Sequence, residues 1–386
     1  MDKSDISCPF AKARLNDGFG KMDDQDDPVL MVLRHKDVRR SAHNWKTFQS
    51  GAKPGRIVVP SEVNIRDVRQ IPFEVDPPLH GAYRAVLEQW FRRPLDENYT
   101  LELKSQITSI IDSALSKNNI EVISDLALVM QSRALTLLLN VPIEEAETWI
   151  SWGTHVFRSE ESAVDADKAN ILYDYIDDQI QQKIDNPGTD LYSQLLSTEV
   201  NGEKLTKEEV KGVMILTFAG GRDTVINATS NTIAYFADHP ESLERLRQEP
   251  ELIKYTIEEL IRYFSPLTHM GRVATEDSQV CGHMVEADTR ISLNWASANR
   301  DSSVFDNADE VVIDRKINPH VAFGFGTHNC LGATHARQIM KVLIQTLIDK
   351  VESIEIIDCK ENIETLGDFE RKVGFDKLNV KFTPKK

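Results

Sequence analysis

Long apolar runs are missing from this sequence. The nearest approach to a membrane span, Leu126 to Leu139, is interrupted by Gln131, Ser132 and Arg133, short of the roughly 18 uninterrupted apolar residues a span needs. No membrane association is therefore expected. The first residues, with Asp2, Lys3 and Asp5, lack the apolar centre of a secretory leader. Cysteine is scarce. Cys8, Cys281, Cys330 and Cys359 are scattered, with no C-x-x-C pairing. That excludes the usual zinc-ligand spacing and fits a reducing cytoplasm better than a disulfide framework. Gly/Ser linkers, low-complexity tracts and repeats are absent too, so residues 1–386 read as a single domain around one broad core. Positive charge is in deficit: 45 Lys and Arg face 61 Asp and Glu, a formal net charge of −16. Such a surface repels phosphate and excludes nucleic acid and anionic membrane as partners.

Helical periodicity dominates what is present. Amphipathic segments fall at about 78–93, 97–117, 122–139, 143–158, 164–184 and 189–197. Ahead of them, residues 51–75 carry Pro54, Gly55, Pro60 and Pro72 and read as a long irregular stretch, of the kind that forms lids and binding loops. Thr206 and Glu209 form a capping box, and the helix it opens is expected to run to about Ala237, before His239-Pro240 stops it. Val213, Met214, Leu216, Phe218, Val225, Ile226 and Ile233 leave few polar faces on that helix, so it should pass through the centre of the protein. Further helices are expected at about 241–248, 251–264 and from Leu331 to Val351. Strand-like alternation appears around 271–295, the segment 303–329 looks irregular, and the C-terminal portion reads as short strands and turns. The expected fold class is mainly α with a minor β region.

The most informative string is Phe323-Gly324-Phe325-Gly326-Thr327-His328-Asn329-Cys330-Leu331-Gly332. It sets one cysteine, among three glycines, at the start of a helix, where the dipole and free N–H groups favour a thiolate. Glycines let the chain pass close under a flat ligand. A lone cysteine is more often a buried structural one. Here, however, every fixed position of F-G-x-G-x-H-x-C-x-G is filled, and the string resembles the haem-binding loop of the cytochrome P-450 family. The resemblance implies a P-450 fold, with haem b held between the central helix and the helix after the cysteine. Cys330 is then the iron ligand, Phe323 packs over its sulfur, His328 approaches a haem propionate, and Gly324 and Gly332 give close passage. A thiolate ligand pushes electron density toward bound oxygen and favours its cleavage.

Three further features follow in the family's order. Gly220-Gly221-Arg222-Asp223-Thr224 lies within the central helix, where glycine costs about 1 kcal/mol against alanine. Thr224 is four residues after Gly220, so its hydroxyl can take that carbonyl and open the helix; close helix packing is the plainer explanation. The string resembles the family's oxygen-activation motif, which implies that Asp223 and Thr224 deliver protons and that Arg222 points away from the haem. Glu259 and Arg262 form an i,i+3 pair whose spacing alone is weak, since Glu244 and Arg247 share it. The resemblance makes the pair structural, with a basic partner nearer the cysteine, Arg315. Finally, the resemblance places His80, Arg84, Arg272 and His328 at the haem propionates, a cationic set that a dianionic edge requires.

By the same resemblance the activity is a monooxygenase using O2 and two electrons. With only residues 331–386 after the cysteine, no fused redox domain is expected. The electrons should come from a ferredoxin and ferredoxin reductase, docking on a face that gathers Arg84, His335, Arg337 and Lys341. The substrate pocket is expected to draw on Arg66, Arg69, Leu216, Ala219, Thr268 and His269. That polar share points to a small oxygenated substrate, such as a methylated sugar or methoxy-aromatic, and to oxidative O-demethylation. Hydroxylation of a terpene or fatty acid, and haem-thiolate peroxygenase or isomerase chemistry, are the alternatives.

Overall fold

Side chains that bond free N–H groups start several of the helices. Asp96 accepts from the amides of Asn98 and Tyr99 at the head of Glu97–Leu115, and Asp190 accepts from Ser193 at the head of Leu191–Ser197. Thr206 and Glu209 make the full reciprocal box at the head of Lys207–Gly221. The computed structural model describes residues 8–24, 27–51, 68–154 and 166–386. Within these, helices Leu79–Trp90, Glu97–Leu115, Leu128–Leu139, Ala166–Asp185, Ile253–Phe264 and Ala333–Lys350 follow the amphipathic pattern closely. Val122–Leu139 has the length and composition of a membrane span, but 72% of it is buried inside the fold.

The central helix departs from expectation. It is two helices, Lys207–Gly221 and Asp223–Asp238, broken at Arg222 with φ −100° and ψ −76°. Thr224 Oγ1 donates to the Gly220 carbonyl at 3.0 Å, and Gln131 Nε2 donates to the Gly221 carbonyl at 3.1 Å. Both carbonyls are thereby drawn off the helical ladder. The break also lies between two cores. One packs Val210, Val213, Met214 and Phe218 against Leu172, Ile176 and Leu87; the other packs Val225, Ile226, Ile233 and Phe236 against Leu260, Leu343 and Leu347.

A five-stranded sheet lies to one side, in the order Phe19–Asp24, Asp27–Val32, Arg290–Asn294, His269–Ala274, Phe48–Gln49. Only the contact of Asp27–Val32 with Arg290–Asn294 is parallel. The C-terminus is not a set of short strands. Val351–Leu366 and Phe369–Pro384 form one long hairpin. Register shifts at Ile356/Asp358, Lys360/Glu361 and Asn362/Ile363 break its alternation, so the period of two never runs long enough to be read.

Candidate active site

A cavity of about 260 Å³ lies between the broken central helix and the helix Ala333–Lys350. Gly220, Gly221, Thr224, Val225 and Ala228 line it from one side; Cys330, Leu331, Gly332, Ala336 and Met340 line it from the other. The cysteine loop is drawn tight by the Cys330 amide, which donates to the Phe323 carbonyl at 2.7 Å. Gly324 and Gly326 take φ of +73° and +74°, left-handed values that side chains resist. Of the four cysteines only Cys330 lines the cavity. Its accessible sulfur faces that space rather than bulk water. Burial pushes its thiol up, while the Gly332 N–H, Arg84 and Arg337 pull it down. Phe323 also lines the cavity, and the Arg337 guanidinium sits 4.4 Å over its ring.

At Gly220 and Gly221 an added Cβ would meet nothing within 4 Å, so close helix packing does not explain these glycines. The opened turn faces the cavity instead. Arg222 points away from it, its Nη2 bonded to the carbonyls of Trp149 and Gly153.

One edge of the cavity is overloaded with basic groups. His80, Arg84, Arg272 and His328 all line it, with Asp76 as the acid among them. Burial lowers Arg272 to about 10, opposed by Asp76, and its side chain bonds the Gly271 carbonyl at 2.7 Å. Burial, and then the positive neighbours His328 and Arg84, bring His80 down to about 4. Arg84 reaches the Asn329 carbonyl at 2.8 Å and Glu88 at 2.8 Å. His328 Nε2 lies 3.1 Å from Asp76 Oδ1, with its ring 4.3 Å from that of His80. Mutual repulsion at such an edge is relieved by a bound dianion. A soft sulfur donor, side-chain-free walls and this cationic edge together fit a haem.

A family model described as cytochrome P450 matches residues 149–365, more than half of the chain. The chain belongs to the cytochrome P450 family. The biotin biosynthesis cytochrome P450 of Bacillus subtilis (strain 168) is 32% identical over 288 residues, 73% of each chain. Linalool 8-monooxygenase of Pseudomonas putida is 28% identical over 368 residues, covering 92% of this chain and 89% of its own. Among solved structures, one described as a carbohydrate active P450 is 66% identical and superposes with a TM-score of 0.96 over 100% of both chains. This P450 is thus an oxidoreductase, a monooxygenase whose cofactor is haem b on a cysteine thiolate. Its relatives take small-molecule substrates.

Several expected positions need correction. Leu216 lines the cavity, but Ala219 lies off the stripe of Val213, Leu216, Thr217 and Gly220 and packs into the core with Phe218 and Leu172. Thr268 turns toward the C-terminal hairpin, bonded to Glu364 and to Arg371 at 2.7 Å. His269 does not reach the cavity either; Pro266, Leu267 and Met270 line it there. Arg69 is exposed and not in the lining, and Arg66 lies outside the described residues. The lining that sequence reading missed is apolar: Ile71, Phe73, Leu87 and Val213, with Thr217 the nearest polar exception. Asp76, which sequence reading did not single out, holds the cationic edge together through His328. It accepts from the amides of Ser50 and Gly51 at 3.2 and 2.6 Å.

His335 is also not a surface cation. It is buried, with Nδ1 2.8 Å from the Tyr99 hydroxyl, because position 335 faces the helix Glu97–Leu115. Arg337 is held by Glu258 at 2.6 and 2.7 Å and Arg84 by Glu88 at 2.8 Å, so of the expected basic face only the exposed Lys341 is left without a carboxylate partner among the described residues. Burial drops His335 to about 4. Because the unfolded imidazole titrates near 6.5, the unfolded chain binds more protons between about pH 6.5 and 4, and stability falls as pH drops through that window. His335→Leu should flatten this part of the stability profile, as Tyr99 retains the Ala134 carbonyl at 3.5 Å. Urea midpoints measured at half-unit pH steps would check it. An unchanged slope would assign the acid sensitivity elsewhere.

Proposed function

We propose that this P450 removes a methyl group oxidatively from a methylated sugar. The observation that carries the sugar is the likeness, over full length and at 66% identity, to a carbohydrate active P450. Oxygen is inserted into the methyl C–H bond: R–O–CH3, O2, two electrons and two protons give R–O–CH2OH and water. The hemiacetal then breaks its C–O bond to leave R–OH and formaldehyde. In this reading Cys330 holds the iron, and His80, Arg84, Arg272 and His328 face the propionates. When bound, the haem supplies dioxygen activation.

The protein's own contribution is placement and proton supply. The Thr224 hydroxyl, fixed 3.0 Å from the Gly220 carbonyl, stands at the cavity wall with the Asp223 carboxyl beside it in the chain. That pair is proposed to pass the two protons. The apolar wall of Val213, Leu216, Leu267 and Met270 would receive the methyl group and keep water from it. Electrons are proposed to arrive from a ferredoxin and its reductase in the cytoplasm.

The same apolar wall favours a second reading, hydroxylation of an apolar small molecule. One experiment separates the two. The enzyme, a surrogate ferredoxin pair and O-methyl hexoses should give a substrate-induced spin-state shift and formaldehyde in proportion to reductant consumed. Absence of formaldehyde from every methylated sugar, with a tight shift for a terpene or fatty acid, would establish the second reading in its place.

A further inference from the structure

Arg222 is harder to explain than any other residue of the central helix. It stands at the break and is 1% exposed. Nη2 bonds the Trp149 carbonyl at 2.6 Å and that of Gly153, both in and just after the helix Glu145–Ser151. Among the described residues Nε and Nη1 are buried with no hydrogen-bond partner, and the charge of the neighbouring Asp223 only partly opposes the burial of the guanidinium. Burying an underpaired charge is unfavourable, and an apolar side chain of like volume fills such a space without that cost. Stability alone does not account for an arginine here.

Placement does. Three consecutive residues of the break are each tied down: the Gly220 carbonyl by Thr224, the Gly221 carbonyl by Gln131, and Arg222 by its side chain. The last two ties come from the helices Leu128–Leu139 and Glu145–Ser151, and neither Gln131 nor Arg222 itself lines the cavity. Gln131 is itself buried. An opened turn with no such ties would be free to close back into regular helix and carry Thr224 with it.

We propose that Arg222, together with Gln131, is a positioning residue for proton delivery. The pair pins the break in the central helix to the helices Leu128–Leu139 and Glu145–Ser151 and so fixes where the Thr224 hydroxyl stands over the cysteine-floored cavity, with the Asp223 carboxyl beside it in the chain. This rests on reading Asp223 and Thr224 as the proton-delivering pair.

The test compares the haem-loaded parent with Arg222→Met, Arg222→Lys, Gln131→Leu and Thr224→Ala. Three quantities are read: the melting temperature, amide hydrogen exchange across residues 218–226, and product and peroxide formed per reductant. Arg222→Met should melt no lower than the parent while exchange across the break quickens. Its product per reductant should fall about tenfold or more, toward the loss that a displacement of about 1 Å brings, with peroxide making up the difference. Arg222→Lys should recover part of the coupling, and Gln131→Leu should move in the same direction as Arg222→Met by less. A folded Arg222→Met with parental exchange and coupling overturns the proposal. So does one that loses stability while product per reductant is kept. If Arg222→Met fails to fold, parental coupling in both Arg222→Lys and Gln131→Leu overturns it. Should Thr224→Ala stay fully coupled, the proton-delivery reading falls, and hydrogen exchange alone then decides whether the break is pinned.

Discussion

Cys330→Ser should abolish the red-shifted Soret band that reduced, carbon monoxide-bound haem shows when a thiolate is its axial ligand, and product formation should drop to background. A serine hydroxyl keeps the size of the side chain but remains protonated at neutral pH, so neither the negative charge nor the electron donation of sulfur survives. The loop itself should persist. Its closing bond runs from the Cys330 amide to the Phe323 carbonyl, and Gly324 and Gly326 keep their left-handed turns. The variant therefore tests the ligand and not the fold. Cys8→Ser, Cys281→Ser and Cys359→Ser are the controls. Cys8 is packed against Arg14, Cys281 sits in a turn and donates to the Gly18 carbonyl, and Cys359 is exposed on the hairpin. None lines the cavity, and each should keep the thiolate spectrum. A normal thiolate band in Cys330→Ser would remove Cys330 from the iron.

The haem loop was readable because it is local. Ten consecutive residues carry the sulfur, the turns and the start of the next helix, so nothing distant has to be known. Capped helices were readable for the same reason, as the side chain that satisfies the first turn lies within three residues of it. What could not be read depends on partners far away in the chain. Gln131 reaches the central helix from 90 residues upstream, and without it the pattern from Thr206 onward looks continuous. The basic face lost His335 for a related reason: periodicity gives the spacing of faces but not which face meets Tyr99. Thr268 is polar because it bonds Glu364 and Arg371 on the hairpin, not because it meets substrate. A polar residue near a pocket in sequence carries no sign of which neighbour satisfies it.

Glu259 shows the same limit from the other side, and its removal should cost the fold more than any other single change considered. Glu259 and Arg262 share their spacing with Glu244 and Arg247, yet the first pair is 0% exposed and the Glu244 side chain is 53% exposed. Burial pushes the Glu259 carboxyl up, but the bonds from Arg262, the Val312 amide and Arg315 outweigh it and hold the group below its usual range. Its two oxygens accept from Arg262 at 2.8 Å each, Arg315 at 2.9 Å, Asn318 at 3.1 Å and the Val312 amide at 2.8 Å. Arg262 in turn bonds the carbonyls of Asn299, Ala308 and Glu310. The irregular segment that leads into the cysteine loop is thus strung on one ion pair. Glu259→Ala leaves Arg262 buried without its counter-charge, a loss of about 3–5 kcal/mol, and haem retention should fall with it because the loop loses its support. Glu244→Ala, with the same sequence spacing, should melt where the parent does. The pH dependence has a definite sign. A carboxyl held below its unfolded pKa stabilises above that value, and the stability is lost as pH falls toward the folded one. Glu259→Gln should therefore be most destabilised relative to the parent at neutral pH, with the gap narrowing in acid. Denaturant midpoints for the three variants at neutral and acidic pH measure this directly. Equal midpoints for Glu259→Ala and Glu244→Ala would mean that burial of the pair does not set its worth.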